Sequence, residues 1–110
     1  MRKIAANYIV LPNSGWIKNG YVEFTSSQEL RIVDTGGKIR DLAGLEFYGG
    51  ILVPEYIKKE KDRFKPGVDL QPLLNQLLMK YSSNYERLAI IEGADLIRLE
   101  WTLQADVRLL

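Results

Sequence analysis

Turn-forming residues break up the first 57 positions so often that no helix of ordinary length fits between them. What lies between the breaks is short, apolar and rich in β-branched or aromatic residues. Ile4 to Leu11 is the first such stretch, and Pro12-Asn13-Ser14-Gly15 stops it. Trp16-Ile17-Lys18 leads into Asn19-Gly20, the two-residue signal of a hairpin turn, and Tyr21-Val22-Glu23-Phe24-Thr25 follows as a strand. Ser26-Ser27-Gln28 turns the chain. Glu29 to Asp34 largely alternates, which sets Leu30 and Ile32 on one face. Thr35-Gly36-Gly37-Lys38 turns again. Residues 43–48 and 51–54 read as two further strands meeting at a Gly49-Gly50 turn. Short strands at this spacing predict a β-sandwich or a partly open barrel built from meanders.

The texture then changes. Lys58, Lys59, Glu60, Lys61, Asp62, Arg63 and Lys65 fill a charged connector over 58–68, which the pattern leaves open between helix and loop. Asp69 is placed as an N-cap, and Leu70, Leu73, Leu74, Leu77, Leu78 and Tyr81 follow at helical spacing. That spacing predicts a helix over 70–81 with its apolar face laid on the sheet. Pro72 fits its first turn, where no donor is needed. Ser82-Ser83-Asn84 ends it. Glu86 to Ile91 reads as a strand and Glu92-Gly93-Ala94-Asp95 as a turn. Leu96 to Leu103 alternates, which predicts a strand with Ile97, Leu99 and Trp101 on one face and Arg98 and Glu100 on the other. Val107 to Leu110 closes the sheet. The expected fold is therefore mainly β with one helix (β+α), about seven to eight short strands. It forms one domain over 1–110: strands in 1–57, connector 58–68, helix 69–82, strands 86–110.

Chemistry is narrowed by two absences, since the chain has no histidine and no cysteine. Imidazole is the usual base near neutral pH, and imidazole and thiolate are the main zinc ligands. A metal site would need oxygen ligands alone, and neither a calcium loop nor a phosphate-cradling glycine loop is present. Gly36-Gly37-Lys38 and Gly49-Gly50 lack the strand–loop–helix context of such a loop and read as turns. A formal net charge of +1 gives no pull toward nucleic acid or an anionic membrane. The longest apolar runs fall short of the roughly 20 residues a membrane span requires. The start, Met1 to Tyr8, lacks the apolar stretch of a secretory signal, and a cytoplasmic protein without cofactor is expected.

Two blocks carry a resemblance. Ile4-Ala5-Ala6-Asn7-Tyr8-Ile9, with Ile17-Lys18-Asn19-Gly20-Tyr21-Val22-Glu23-Phe24 and Leu30-Arg31-Ile32-Val33, resembles the opening strands of amidohydrolase-superfamily enzymes of the chlorohydrolase and cytosine-deaminase type. Gly49-Gly50-Ile51-Leu52-Val53-Pro54-Glu55-Tyr56-Ile57 resembles their G-x-I-x-V-P-G-F-I-N-x-H-x-H block. Toward the end, residues 69–74, 88–96 and 107–110 resemble their late helix and returning strands. The resemblance implies a small β-sandwich formed by both chain ends beside a metal-bearing barrel. Aligned on Ile51-Leu52-Val53-Pro54, Glu55 stands at the family's glycine, and its two metal-binding histidine positions fall on Glu60 and Asp62. The barrel of roughly 250 residues has no counterpart in the chain. The resemblance implies an inherited scaffold and transfers no active site.

Glu60 and Asp62 sit among four cations and read as part of a solvated connector rather than a cation site. Trp16, Tyr21, Phe24, Tyr48 and Tyr56 could line a ligand groove, but aromatics on strands, Tyr8 included, more often fill cores. The leucine stripe packs on its own sheet in preference to a partner helix, and Trp101 and Leu103 join that core or an oligomer face. No residue is assigned a catalytic, cofactor-binding or metal role. The expectation is a non-catalytic structural or interaction module. An accessory subunit completing a hydrolase whose barrel lies on another chain, or a small ligand-binding domain, are the alternatives. Loss of a barrel would bare an apolar face, so a homodimer, or failing that another protein partner, is expected to cover it.

Overall fold

The computed structural model describes residues 2–12, 14–24, 30–33, 44–81, 85 and 87–110. The turns expected at Ser26–Gln28, Thr35–Lys38 and Ser82–Asn84 lie outside the described residues. Seven strands form one sheet: β1 (Arg2–Leu11), β2 (Gly15–Lys18), β3 (Tyr21–Phe24), β4 (Leu30–Val33), β5 (Leu45–Pro54), β6 (Leu88–Glu92) and β7 (Asp106–Leu109). A 3-10 segment, Glu55–Arg63, and helix α1, Leu70–Lys80, fill the connection from β5 to β6. This is the small, mainly β fold with helical cover that the sequence predicts. The strand order is β4-β3-β1-β5-β6-β7, and β2 pairs β1 beside β3.

Helix α1 forms where its leucine spacing places it. Asp69 caps it, its side chain accepting from the Gln71 N–H at 3.1 Å. Leu70, Leu73, Leu74 and Leu77 are buried against the sheet. The charged connector resolves into structure because three apolar residues pin it. Tyr56, Ile57 and Phe64 are buried while the intervening lysines are exposed. The helical geometry breaks at Glu60 (φ −99°, ψ 19°).

Three expectations from local pattern fail. Asn19-Gly20 is not a hairpin turn: Tyr8 pairs with Lys18 and Ala5 with Tyr21, so β2 and β3 hold one register against β1. The last pair of the hairpin is Leu11 with Gly15, and Asn19 takes a left-handed φ of 58° inside the long arm. Gly49-Gly50 does not separate two strands. β5 runs through it, paired to β1 before and after, with the register shifting by one residue opposite Asn7. Leu96–Leu103 is not a strand. Asp95 Oδ1 accepts from the N–H groups of Ile97 and Arg98 at 2.9 and 3.0 Å, and Asp95 and Glu100 exchange backbone bonds around Leu99 at φ 54°. The rest of its backbone bonds to the entry of α1: Leu70 N–H to the Leu99 carbonyl, Trp101 N–H to the Val68 carbonyl. Ile97 is therefore 96% exposed while Trp101, expected on the same face, is 6% exposed.

The first two breaks lie on one line across the sheet. The Asn7 backbone carbonyl accepts from Asn19 N–H at 2.9 Å, and Asn7 Oδ1 accepts from Gly50 N–H at 2.8 Å. Ile4 and Ala6 before the line, and Ile9 and Leu11 after it, belong to the same buried cluster, so β1 changes parity at Asn7. Val22 and Ile17 change parity together across Asn19-Gly20, which is why the pairing survives. The line divides the sheet in two. The N-terminal half holds β4, β3 and the first parts of β1 and β5. The C-terminal half holds β2, the later parts of β1 and β5, β6 and β7.

Candidate functional site

One face of the C-terminal half is sealed. Val10, Ile51, Val53, Ala89, Ile91 and Val107 form one cluster with Ile57, Phe64 and the α1 leucines. Among the described residues, none from β3, β4 or Leu45–Gly50 joins this cluster. The second face carries the other cluster, which spans both halves from Ile4 and Val22 to Leu52, Leu88 and Ile90. Among the described residues, the first face of the N-terminal half is thus left outside both clusters, although Ala5 on it is buried. Cross-strand partners share a face, so it carries Val33, Tyr21, Ala5 and Phe47 in one row and Arg31, Glu23, Lys3 and Leu45 in the next. Phe47 is 55% exposed, although it sits on a paired strand. Lys3 and Glu23 face each other in register and form no ion pair among the described residues.

A second place of interest lies between the 3-10 segment and the end of α1. Glu60 Oε1 accepts from both Lys80 Nζ (2.7 Å) and Tyr81 OH (2.6 Å). The Lys80 bond, then that of Tyr81, holds the Glu60 carboxyl below its ordinary value. The same contact raises Lys80 and Tyr81. Beneath it, Tyr56 stacks on Tyr81 with ring centroids 4.5 Å apart and planes 18° from parallel. The Tyr56 hydroxyl is buried with no hydrogen-bond partner. Burial first, then Tyr85, Glu55 and Tyr81, pushes Tyr56 up to about 12. It stays a neutral phenol at physiological pH and cannot serve as a base there.

A groove of about 540 Å³ lies beside this cluster, lined by Leu11, Pro12, Gly15, Asn75, Leu78, Met79 and Tyr81. It is open to solvent. Asn75 Oδ1 accepts from Trp16 Nε1 at 3.0 Å, which ties β2 to α1 at its wall.

The candidate residues of the sequence do not converge. Glu60 is engaged by Lys80 and Tyr81, and Asp62 is exposed on the 3-10 segment. Among the described residues, no three acidic side chains come together as a metal site. The aromatics scatter: Trp16 packs edge-on to Tyr8, Tyr56 lies on Tyr81, and Tyr48 lies under Arg108 on the other face. Of these candidates, Tyr21 lies on the first face of the N-terminal half, in one row with Phe47, and the Phe24 side chain is outside the described part. Trp101 packs against Phe64 in the core with the ring planes tilted 40°, whereas Leu103 is exposed. Sequence reasoning missed Phe47, Asn7 and the Lys80–Tyr81 donors. Each acts on a residue distant in sequence, and no local spacing marks it. Among the described residues, no helix is long and apolar enough to cross a membrane. No family model matches the chain, and neither a curated protein nor a solved structure does.

Proposed function

We propose that this chain is a non-catalytic interaction module, descended from the β-sandwich of an amidohydrolase that has lost its barrel. The observation that carries the reading is the uncovered first face of the N-terminal half, with Phe47 more than half exposed beside Tyr21 and Leu45. A large aromatic on a sheet face left bare by the helices fits a surface that another protein covers. Both ends of the chain contribute to one sheet through β1 and β7, as the ancestry requires. A cytoplasmic setting belongs to the same proposal and rests on the cysteine-free composition.

The decisive test is a panel of hydrolase and deaminase substrates offered to the purified chain with zinc, manganese or iron. No turnover is expected, and turnover by the isolated chain sinks the reading. One observation favours a second reading, a small ligand-binding domain: the groove bounded by Leu11, Leu78 and Met79, with Asn75 at its wall. A thermal-shift screen with small apolar amides tests it. A shift abolished by Asn75→Ala would favour this second reading over the first.

A further inference from the structure

We propose that the uncovered face of the N-terminal half docks on the same face of a second copy of the chain, about a twofold axis running along the strands between β1 and β3. The proposal rests on the interaction-module reading and adds the partner and its register.

Four strands make up this face in the order β4, β3, β1, β5, so its centre line falls between β3 and β1. A twofold axis on that line lays β3 over β1 of the second copy and β4 over its β5, in the aligned mode of sheet packing. The two rows then complement themselves. Glu23 lies over Lys3 of the second copy and Lys3 over its Glu23, so two opposite-charge contacts form from residues that make no ion pair among the described residues of one chain. Tyr21 lies over Ala5 of the second copy, a large side chain against a small one. Phe47 lies over Val33 of the second copy, which covers the most exposed apolar group of the face. Leu45 meets the aliphatic stem of Arg31. Any other axis parallel to the strands leaves one of the four strands without a facing strand.

Size predicts the strength. Four strands about 4.8 Å apart with two rows of side chains cover only about 300 Å². That is well below the roughly 800 Å² per partner of a standard interface. The dimer is therefore weak and governed by concentration.

Sedimentation velocity on the full chain from about 10 µM to about 1 mM, a range matched to such a small interface, reads it directly. The mass is expected to rise from 12.6 kDa toward twice that value. Lys3→Glu sets Glu against Glu23 of the second copy, and Glu23→Lys sets Lys against its Lys3. Each variant alone should dimerise about tenfold or more less tightly. An equimolar mixture of the two variants brings opposite charges together again, and only across the interface, so it should recover dimers to within about threefold of the parent. Phe47→Asp should abolish dimers, while Met79→Asp, on the exposed side of α1, should leave them unchanged. Circular dichroism establishes that each variant is folded. A mixture no more dimeric than its components overturns the proposal, as does a dimer that survives Phe47→Asp, or a chain monomeric throughout the range. None of these outcomes touches the non-catalytic reading, which the turnover panel decides separately.

Discussion

The two halves of the sheet share β1 and β5 but reach stability by different routes. The C-terminal half seals its first face with α1 and the 3-10 segment, and its central strands β1, β5 and β6 are buried there on both sides. The N-terminal half buries the face that carries Ile4 and Val22; its other face, where Phe47 is 55% exposed although Ala5 beside it is buried, joins neither cluster among the described residues. The strands on the N-terminal side of the line through Asn7 are also the more polar, with Lys3, Glu23 and Arg31 on the face that joins neither cluster. The helical connection leaves β5 at its far end and returns to β6, so it covers the C-terminal half. Among the described residues, the cover over one half thus follows from where the helical connection is inserted.

The sharpest way to break this division is to disturb the line itself. Gly50 has φ 143°, and a Cβ there would stand 2.0 Å from the Ile91 backbone carbonyl oxygen. Gly50→Ala must push β5 from β6 at the point where the sealed half begins. Its cost is expected to exceed about 4 kcal/mol, near the whole stability of a small domain. Urea unfolding is expected to show no cooperative transition, and a variant that melts like the parent would mean that the bend is not required.

The next contrast compares the two halves directly. Leu74 on α1 is fully buried between the helix and the sheet, so Leu74→Ala should lower stability by about 2–5 kcal/mol through lost burial and the cavity left behind. Phe47→Ala deletes a larger side chain, yet in the monomer it should change stability by only about 0.5 kcal/mol. Chemical denaturation at low protein concentration measures both. A large loss for Phe47→Ala would show that the N-terminal face is covered within the chain itself.

A smaller effect isolates the link between the halves. Asn7→Ala removes the acceptor of the Gly50 N–H and leaves that partly buried donor unpaired, while the Asn7 carbonyl bond to Asn19 survives. The expected loss is about 1–2 kcal/mol. Hydrogen exchange at Gly50 should accelerate more than at the β6–β7 pairs, and uniform acceleration would mean that Asn7 supports the whole sheet rather than the bend.

How far the sequence could carry this picture depended on the reach of each signal. The leucine stripe and Asp69 act within one helix, and they predicted α1 to within a residue. The closing strand, expected over Val107 to Leu110, is found at Asp106–Leu109. Asn19-Gly20 misled because a hairpin signal describes a turn only when no longer partner is present; β1 is long enough to hold both arms. Gly49-Gly50 misled because β1 and β6 flank β5 and keep the strand extended through its bulge. In Leu96–Leu103 the alternation was real, but the side chain of Asp95 offered the backbone a competing set of bonds. The candidate face was the least legible of all. Phe47 could be placed on a strand, yet which face it takes and whether that face is covered depend on a parallel pairing with β1 and on where a helix lands.

The smallest expected effect compares the ion pairs of the two halves. Glu60 bonds Lys80 and Tyr81 in the sealed half, and Glu46 bonds Arg2 in the open half. Both carboxyls are held below the ordinary value of 4.5: Glu60 by Lys80 first and Tyr81 next, Glu46 by Arg2 first. A carboxyl lowered in the folded state stabilises it fully above pH 4.5, and that contribution fades as pH falls through the folded value. Glu60→Gln and Glu46→Gln should each flatten the acid side of the stability–pH curve and leave its slope near neutrality unchanged. Glu60 should matter more, since its side chain is 14% exposed against 39% for Glu46, and water screens it less. Urea midpoints between about pH 6 and about pH 3 read this difference. Equal flattening by both substitutions would show that the cover over the C-terminal half does not extend to its rim, and would move the boundary between sealed and open inward from Glu60 toward Tyr56.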